Sequence, residues 1–308
     1  MKVITGNGQF VNRGVSAGTL PISIVIPTYG REDILIATIG HLLDLEPKSA
    51  EILVVDQTEK HQEIVEKTLT SWNSSGAVKL IGLTEPSIPR AMNCGLCEAK
   101  QDFVLFVDDD VIPEPGLLQH HMQALKNSEA ALIVGRVVQP WHESDRSHFA
   151  STQAGWISDF VGCNFMVRRD VALKVGGFGE QFVRVAYNFE AEFSFRLNRA
   201  GFRIFYEPAA CVHHLKANRG GTRSFGNHLR SYRPNHAVGA YYFVLRTWSG
   251  WQSLLHFLNR PLRAIATRHH LRWPWWIPVT LFAEFSGMVW ALLLALRGPR
   301  YLKGDCFK

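Results

Sequence analysis

Three consecutive aspartates follow a short apolar segment and could hold a divalent cation. Asp108–Asp110 come directly after Phe103–Val107, a run that is typical of a buried strand. Adjacent carboxylates repel one another, and a hard cation such as Mg²⁺ or Mn²⁺ relieves the repulsion because carboxylate oxygens are its preferred ligands. Such a cation leaves coordination positions open for the phosphate oxygens of a substrate. A solvated acidic turn is the alternative interpretation.

The elements that must position these aspartates alternate between strand and helix. Apolar runs predict strands at Ile22–Ile26, Ile52–Val55, Val78–Leu83, Phe103–Val107 and Ala131–Val138, with helical periodicity between them. Continuously apolar strands separated by helices indicate an α/β fold, with a mostly parallel sheet covered by helices on both faces. Ligands of such sheets bind at the carboxyl ends of the strands. We therefore expect Pro27-Thr28-Tyr29, Asp56 and the aspartates to meet in one crevice.

Seven segments match, in order, the motifs of a known family. They are Ile24–Arg31, Ile52–Asp56, Pro89–Gly95, Asp108–Asp110, Gly176–Phe182, Glu190–Leu197 and Pro208–His214. Together they resemble the family 2 glycosyltransferases, which have the Rossmann-like GT-A fold, over roughly Ile22–His214. The resemblance implies inverting transfer of a sugar from a nucleotide-diphosphate donor to a hydroxyl group.

The resemblance also implies roles for individual residues. It assigns donor contacts to Pro27, Thr28, Tyr29, Arg31, Asp56, Arg90, Asn93, Asp108 and Asp109, cation contacts to Asp108, Asp110 and His214, and acceptor-side contacts to Gly177, Phe178 and Glu192. A surface salt bridge is the alternative role for Arg90, and a hydrogen-bonded structural histidine is the alternative for His214. The chain departs from the family pattern at Asp56-Gln57-Thr58-Glu59 and at Gly179.

Glu190 stands where the resemblance implies the catalytic base, although the family usually has an aspartate there. The acceptor hydroxyl must lose a proton as it attacks the anomeric carbon, and a base that takes this proton typically contributes roughly 10²–10⁴ in rate. Phe189, Phe193 and Phe195 surround Glu190 in the sequence. Burial among them would raise the pKa of the carboxyl into a useful range. A solvent-facing helix carboxylate is the alternative.

Charge divides the chain unevenly. Residues 1–210 contain 19 Lys and Arg against 25 Asp and Glu, a net charge of −6, whereas residues 211–308 contain 14 against 2, a net charge of +12. The basic part begins with the loop Asn218–Asn235, whose arginines could close over phosphates or form a plain linker. A basic tail suggests an anionic partner, either a membrane surface or a nucleic acid. Because no nucleic-acid-binding motif is present, we expect the membrane.

The apolar segment Trp275–Leu296 contains a single charged residue, Glu284. A helix from Pro278 to Leu296 would be about 28 Å long, close to the roughly 30 Å of a bilayer core. Tryptophans at one end and arginines at both ends are typical of a membrane interface. Three interpretations stay open, namely a membrane span, an interfacial helix and a helix packed on the preceding domain. Ala237–Trp248 could be a second interfacial or acceptor-binding helix.

These observations predict four regions. Residues 1–20 form a flexible segment without the apolar core of a signal peptide, residues 21–216 the catalytic domain, residues 217–236 a basic loop, and residues 237–308 a helical, membrane-associated extension.

The five cysteines match no disulfide framework, as expected in a reducing compartment. We therefore expect a peripheral or single-span protein on the cytoplasmic face of the cell membrane, acting on a polysaccharide or lipid-linked glycan.

Two other functions compete with glycosyl transfer. A nucleotidyltransferase also holds metals with aspartates, but it would normally carry a Gly-rich phosphate loop where this chain has Pro27-Thr28-Tyr29. A degenerate transferase could bind a sugar nucleotide without turning it over. A dinucleotide dehydrogenase and a P-loop ATPase lose support because neither glycine motif is present.

Overall fold

A computed structural model describes residues 18–139, 150–217, 219–226 and 228–302, without the side chain of Arg223. Most of the predicted N-terminal segment and the last six residues therefore lie outside the described residues. The first strand begins at Thr19, two residues before the predicted start of the catalytic domain.

Nine strands of the described residues form a single mixed sheet. The strands are β1 Thr19–Thr28, β2 Lys48–Asp56, β3 Lys79–Gly82, β4 Phe103–Val107, β5 Val111–Pro113, β6 Leu132–Val138, β7 Gly155–Ile157, β8 Asn164–Arg168 and β9 Ile204–His214. Their order is β3-β2-β1-β4-β8-β6-β9-β5, with β7 also paired to β9. Strands β3, β2, β1 and β4 run parallel to one another, whereas β8 runs antiparallel to β4 and β6. The predicted mostly parallel α/β sheet is confirmed.

Ten helices accompany the sheet in the described part of the chain. They are α1 Asp33–Leu43, α2 Glu63–Ser75, α3 Ile88–Glu98, α4 Leu117–Ser128, α5 Arg169–Lys174, α6 Phe189–Arg199, α7 Ala237–Thr247, α8 Trp251–Ile265, α9 Arg268–Arg272 and α10 Ile277–Leu296. Helix α3 lies so close to β1 that a methyl group on Gly95 would approach Val25 Cγ1 to 2.3 Å. The small residue at this position therefore sets how closely the helix packs on the sheet.

Two apolar cores cover the two faces of the sheet, because the central strands carry apolar side chains on both faces. Ile24 and Ile26 of β1 belong to the core beneath α1 and α4, while Val25 belongs to the core beneath α3 and α6. Side chains alternate between the faces of a strand, so continuous apolar runs are needed where both faces are covered. Burial on both sides holds the strand ends, and the polar residues that follow them, in fixed positions.

The C-terminal helices extend one of these cores. Val238 and Tyr241 of α7 and Ala291 and Leu294 of α10 belong to the cluster that also contains β4 and α6. The predicted boundary near residue 216 therefore does not separate two cores. One face of helix α10 packs on the domain, which agrees with the interpretation of a helix packed on the preceding domain. Its outer face is exposed.

One helical stretch of the described residues, Pro274–Leu296, is long and apolar enough to cross a membrane by length and composition alone. A third of its most apolar window is buried within the protein, so this stretch is only weak evidence for a span.

The cysteines differ from expectation at one position. Cys94, Cys163 and Cys211 are free, but Cys97 is disulfide-bonded, so the prediction that the chain forms no disulfide is wrong for Cys97.

Candidate active site

The acidic triplet lies at the carboxyl end of β4, beside the end of β1. Asp109 points into the protein, where its Oδ2 accepts a hydrogen bond of 2.7 Å from Thr28 Oγ1 and its Oδ1 accepts one of 3.1 Å from Arg31 Nε. Burial raises the pKa of Asp109 to about 7, in spite of Arg31 and Thr28. The hydrogen bond between Asp109 and Thr28 therefore joins the two strand ends, so Asp109 has a positioning role. The predicted donor contacts of both residues stay predictions.

Arg31 is a buried clamp rather than a free cation in the cleft. Besides Asp109, its guanidinium contacts Asp110 Oδ2 at 3.3 Å and donates to the backbone oxygens of Ala217 and Arg219. The basic loop is also held by a 2.7 Å hydrogen bond from Gly221 N to Tyr29 O. The charge of Arg31 is already balanced by two carboxylates. These contacts support the aspartates and the loop, and the predicted donor contact of Arg31 stays a prediction.

His214 meets the triplet because β5 and β9 pair in register, with Val111 opposite His214. His214 Nε2 lies 3.1 Å from Asp110 Oδ1 and 3.7 Å from Asp108 Oδ2. Burial opposes the charge of His214, but Asp110 and Asp108 outweigh it and raise the histidine pKa. Burial likewise opposes the charge of Asp110, but His214, the Ala217 N–H and Arg31 lower the pKa of this carboxyl.

The residues around Asp110 fit a hard divalent cation. Asp110 Oδ1 is buried and paired with His214 Nε2 at 3.1 Å, while its other oxygen accepts from Ala217 N at 2.8 Å. Asp108 is a third exposed and faces the cleft. Cys163 Sγ also lies within 4.8 Å of ligand atoms of Asp108 and His214. However, burial raises the pKa of that thiol, and a neutral thiol is a poor ligand for Mg²⁺ or Mn²⁺.

Glu190 lies in the first turn of α6 and faces the same cleft as Asp108. Burial, followed by the nearby charge of Asp108, raises the pKa of Glu190 to about 8. The carboxylate lies against Gly162, where an added methyl group would stand 2.9 Å from Glu190 Oε1. The combination of burial, a raised pKa and an adjacent acidic cluster is typical of a general base that works near neutral pH.

One cavity of about 470 Å³ connects these groups. The predicted site residues that line it are Pro27, Thr28, Tyr29, Arg31, Asp108, Asp109, Asp110, Glu190 and His214. Backbone strain marks one wall, since Ala186 and Asn188 both have positive φ angles without being glycine. Non-glycine residues are held in this region only by their surroundings, and they are frequent at functional sites.

Three predicted donor contacts lie outside that lining. Asp56 Oδ2 is 2.7 Å from His61 Nε2, and the next residue, Gln57, lines the cleft instead. Arg90 is exposed and donates to Glu85 at 3.1 Å, which is the surface salt bridge that the alternative required. Asn93 is buried and holds the backbone of Phe178 with two hydrogen bonds, of 2.9 and 2.7 Å. We therefore assign Asn93 to the folding of this segment rather than to the donor.

The predicted acceptor-side residues also serve the fold. Phe178 is fully buried, and its ring meets that of Phe106 edge to face and packs against the tilted ring of Phe193. Gly177 has a φ of +63°, and a methyl group there would come within 2.4 Å of Asn93 Oδ1. Glu192 is buried and accepts from Arg196 at 2.8 Å and from Tyr301 at 2.6 Å. None of the three residues lines the cleft of about 470 Å³, and their acceptor-side role stays a prediction.

Sequence reasoning missed Gln57, Gly162 and the strained Ala186–Asn188 wall. Gln57 Nε2 donates to Thr28 O at 3.2 Å, and its Oε1 accepts from Ser87 N at 2.6 Å, so Gln57 links three elements beside the cleft. A signal for Gln57 was its place directly after a strand end. Nothing in the sequence marked the positive φ angles of the wall.

A mostly parallel sheet with an acidic cluster and a buried carboxylate at the strand ends defines a nucleotide-binding transferase of the GT-A type. The model of glycosyl transferase family 2 matches residues 23–176, half of the chain. The chain therefore belongs to glycosyl transferase family 2, and it is a glycosyltransferase.

Curated relatives agree with this assignment. N-acetylglucosaminyl-diphospho-decaprenol L-rhamnosyltransferase of Mycobacterium tuberculosis is 31% identical over 140 residues, which cover 43% of this chain and 40% of that protein. The probable glycosyltransferase YdaM of Bacillus subtilis is 24% identical over 213 residues, which cover 61% of this chain and 49% of that protein. The matches thus span less than half the length of either relative.

Solved structures share the fold at low identity. A mannosyltransferase from Pyrobaculum calidifontis in complex with GDP-Man and Mn²⁺ matches with a TM-score of 0.56 at 18% identity, covering 90% of this chain and 79% of that one. The S. aureus TarS fragment 1–349 in complex with UDP-GlcNAc matches with a TM-score of 0.58 at 14% identity, covering 92% of this chain and 99% of that one. The GT-A expectation is confirmed.

Proposed function

We propose that this protein is a cation-dependent, inverting glycosyltransferase that moves a sugar from a nucleotide-diphosphate donor to a hydroxyl group of a lipid-linked glycan or polysaccharide. The observation that carries the proposal is one cleft of about 470 Å³ lined by Asp108, Asp110, His214 and the buried Glu190. It combines a cation-binding donor set with a base, the two functions that the reaction needs.

The donor end of the cleft is the part around Asp110. Asp108, Asp110 and His214 would hold Mg²⁺ or Mn²⁺, and the close approach of His214 Nε2 to Asp110 Oδ1 at 3.1 Å and to Asp108 Oδ2 at 3.7 Å supports this assignment. When bound, such a cation offsets the negative charge that gathers on the departing diphosphate. Thr28, Arg31 and Asp109 hold the aspartates in place, so that no rearrangement is required when charge develops. Structures of two neighbours contain Mn²⁺, which supports the cation without choosing it over Mg²⁺.

The acceptor end of the cleft is the part around Glu190. Its carboxylate would take the proton of the acceptor hydroxyl as the oxygen attacks the anomeric carbon from the face opposite the diphosphate, which inverts the configuration. The raised pKa of Glu190, about 8, makes the carboxylate a stronger base than an exposed glutamate.

The acceptor would come from a membrane on its cytoplasmic face. The M. tuberculosis relative is named for a diphospho-decaprenol substrate, which supports a lipid-linked acceptor. The basic C-terminal region and the exposed apolar faces of α8 and α10 support a peripheral attachment in the interface. Glu284, in the middle of α10, is buried against Tyr241 and Arg260, which favours a helix that lies along the domain over one that crosses the bilayer.

The test is a thermal-shift screen followed by a turnover assay. UDP-, GDP- and dTDP-sugars are added with and without Mn²⁺, and a bound donor should raise the apparent Tm by mass action. The Glu190→Gln variant should keep the Mn²⁺-dependent shift and lose turnover. If no nucleotide sugar shifts the Tm, donor binding is refuted. If Glu190→Gln binds the donor and turns it over at the rate of the unmodified protein, Glu190 is not the base. A chain that binds the donor but never turns it over would be the degenerate binder.

A further inference from the structure

A cavity of about 890 Å³ lies beside the donor cleft and takes no part in the chemistry derived above. Helices α7, α8 and α10 and the loop before α7 form its walls. Tyr187 lines both this cavity and the donor cleft, three residues before Glu190. The cavity therefore opens toward the base, and its volume suits a head group rather than a single ion.

The charged side chains of this cavity are predominantly cationic. They are Arg233, Arg260, Arg263 and Glu284. Arg260 is paired with Glu284, Nε to Oε2 at 3.0 Å, while Arg233 and Arg263 form no ion pair within the part of the chain that the structure describes. Two positive charges are thus left uncompensated at the walls.

The pKa values of the cavity histidines are lowered in part by the same positive charges. Burial, then the charge of His228 and of Arg260, lowers the pKa of His236 to about 4. Burial and two arginines likewise lower the pKa of His256, whose Nε2 is buried without a hydrogen-bond partner. A bound anion would supply an acceptor for His256 Nε2 when this nitrogen carries the ring proton.

Helix α8 separates this cationic cavity from an exposed apolar stripe. His256, Arg260 and Arg263 lie on its inner face. Its outer face carries leucines and a tryptophan at helical spacing, with Leu258 61% and Leu262 62% exposed. The outer face of α10 is apolar and exposed in the same way, as Phe282 and Val289 show. A ligand that fits both surfaces has an anionic head and a hydrocarbon tail.

We infer that the cavity binds the diphosphate head of a polyprenyl-linked acceptor drawn from the membrane, while the outer faces of α8 and α10 rest in the lipid. Arg233, Arg263 and His256 contact the diphosphate oxygens, and the group attached to the diphosphate extends past Tyr187 toward Glu190. This inference rests on the proposed function, because it names the acceptor of the same site.

The test uses phosphatidylcholine vesicles that contain geranylgeranyl diphosphate, compared with vesicles that carry equal charge as phosphatidylglycerol. The unmodified protein should prefer the diphosphate vesicles by at least about tenfold in Kd, a difference of about 1.4 kcal/mol. Arg233→Ala/Arg263→Ala should lose this preference and keep the binding to phosphatidylglycerol. Arg268→Ala/Arg297→Ala is the matched control, since it removes the same charge at exposed positions outside the cavity, and it should keep the preference.

Three results would overturn the inference. The first is equal binding of the unmodified protein to both kinds of vesicle, and the second is an unchanged preference in the double cavity variant. The third is that inorganic pyrophosphate competes for the site as well as geranylgeranyl diphosphate does, which would indicate a soluble ligand. The Mn²⁺-dependent thermal shift with nucleotide sugars is measured on the same preparations. A normal shift without vesicle preference refutes only the acceptor site, whereas a missing shift refutes the proposed function. The same shift in the double variant shows that the variant is folded.

Discussion

Glu190 should control the acid limb of the pH–rate profile. A base acts in its ionised form, and burial raises the pKa of Glu190 to about 8, above the ordinary glutamate value of 4.5. Activity should therefore be low at acidic pH and rise as the pH approaches 8. For a single group, kcat/KM should fall about tenfold for each pH unit below that value, because kcat/KM reports the base of the free enzyme. At pH 7 only about a tenth of the molecules would carry the ionised base.

The assay is sugar transfer at saturating Mn²⁺ between pH 5.5 and 9, with nucleotide release measured in parallel. Glu190→Gln should lower kcat by roughly 10²–10⁴ and remove the limb. Glu190→Asp keeps a carboxylate but shortens the side chain, so it should retain part of the activity and displace the limb. Nucleotide affinity at each pH separates this effect from titration of the cation ligands.

A second variant tests the same carboxylate without changing it. Gly162→Ala would bring a methyl group to 2.9 Å from Glu190 Oε1 and push the side chain aside. We expect a loss of kcat with little change in donor affinity or Tm. A flat profile from pH 5.5 to 7.5, or an acid limb that persists in Glu190→Gln, would refute the assignment of the base.

Four further variants test the remaining assignments. Mn²⁺ at one hundred times its Kd should stabilise the unmodified protein by about 2.7 kcal/mol, and calorimetry should detect no such stabilisation in Asp110→Asn. Asn93→Ala should lower the free energy of unfolding by about 1–3 kcal/mol for each Phe178 backbone group that loses its partner. Denaturant titration of Arg90→Ala should show almost no change, since that exposed ion pair contributes little. Leu258→Glu/Leu262→Glu should abolish flotation with anionic vesicles and leave transfer to a soluble acceptor intact; retained flotation would contradict the membrane face.

The sheet could be predicted because its central strands are predominantly apolar. Phe103–Val107 is apolar at every position and Ile22–Ile26 is interrupted only by the buried Ser23, so both segments define central strands and the polar ends that follow them. The antiparallel insertion of β8 between β4 and β6 could not be predicted, because apolar patterning indicates burial and not the direction of a strand. The three-residue β5 was missed because it is too short to show a period.

The site could be predicted only in part, because a motif does not say which way its side chains point. Asp108–Asp110 were found as a unit, yet the pleat turns Asp109 inward to Arg31 and leaves Asp108 accessible. Asn93 and Phe178 belong to recognisable segments, but their hydrogen bonds join these segments to each other. Pairing across 85 residues depends on tertiary packing, and local sequence does not encode it.

Helices α7 and α10 pack behind one wall of the cleft and so support the catalytic site. A methyl group on Gly239 of α7 would come within 2.4 Å of Tyr187 O, which shows how tightly that helix holds the strained segment before α6. On the other side of α7, a methyl group on Gly287 of α10 would come within 2.5 Å of Ala237 Cβ. Helices α10, α7 and α6 are thus in continuous contact from the exposed apolar surface to the turn that carries Glu190. Because close-packed elements transmit displacements, attachment of α10 to a bilayer would hold the base and the acceptor in one frame.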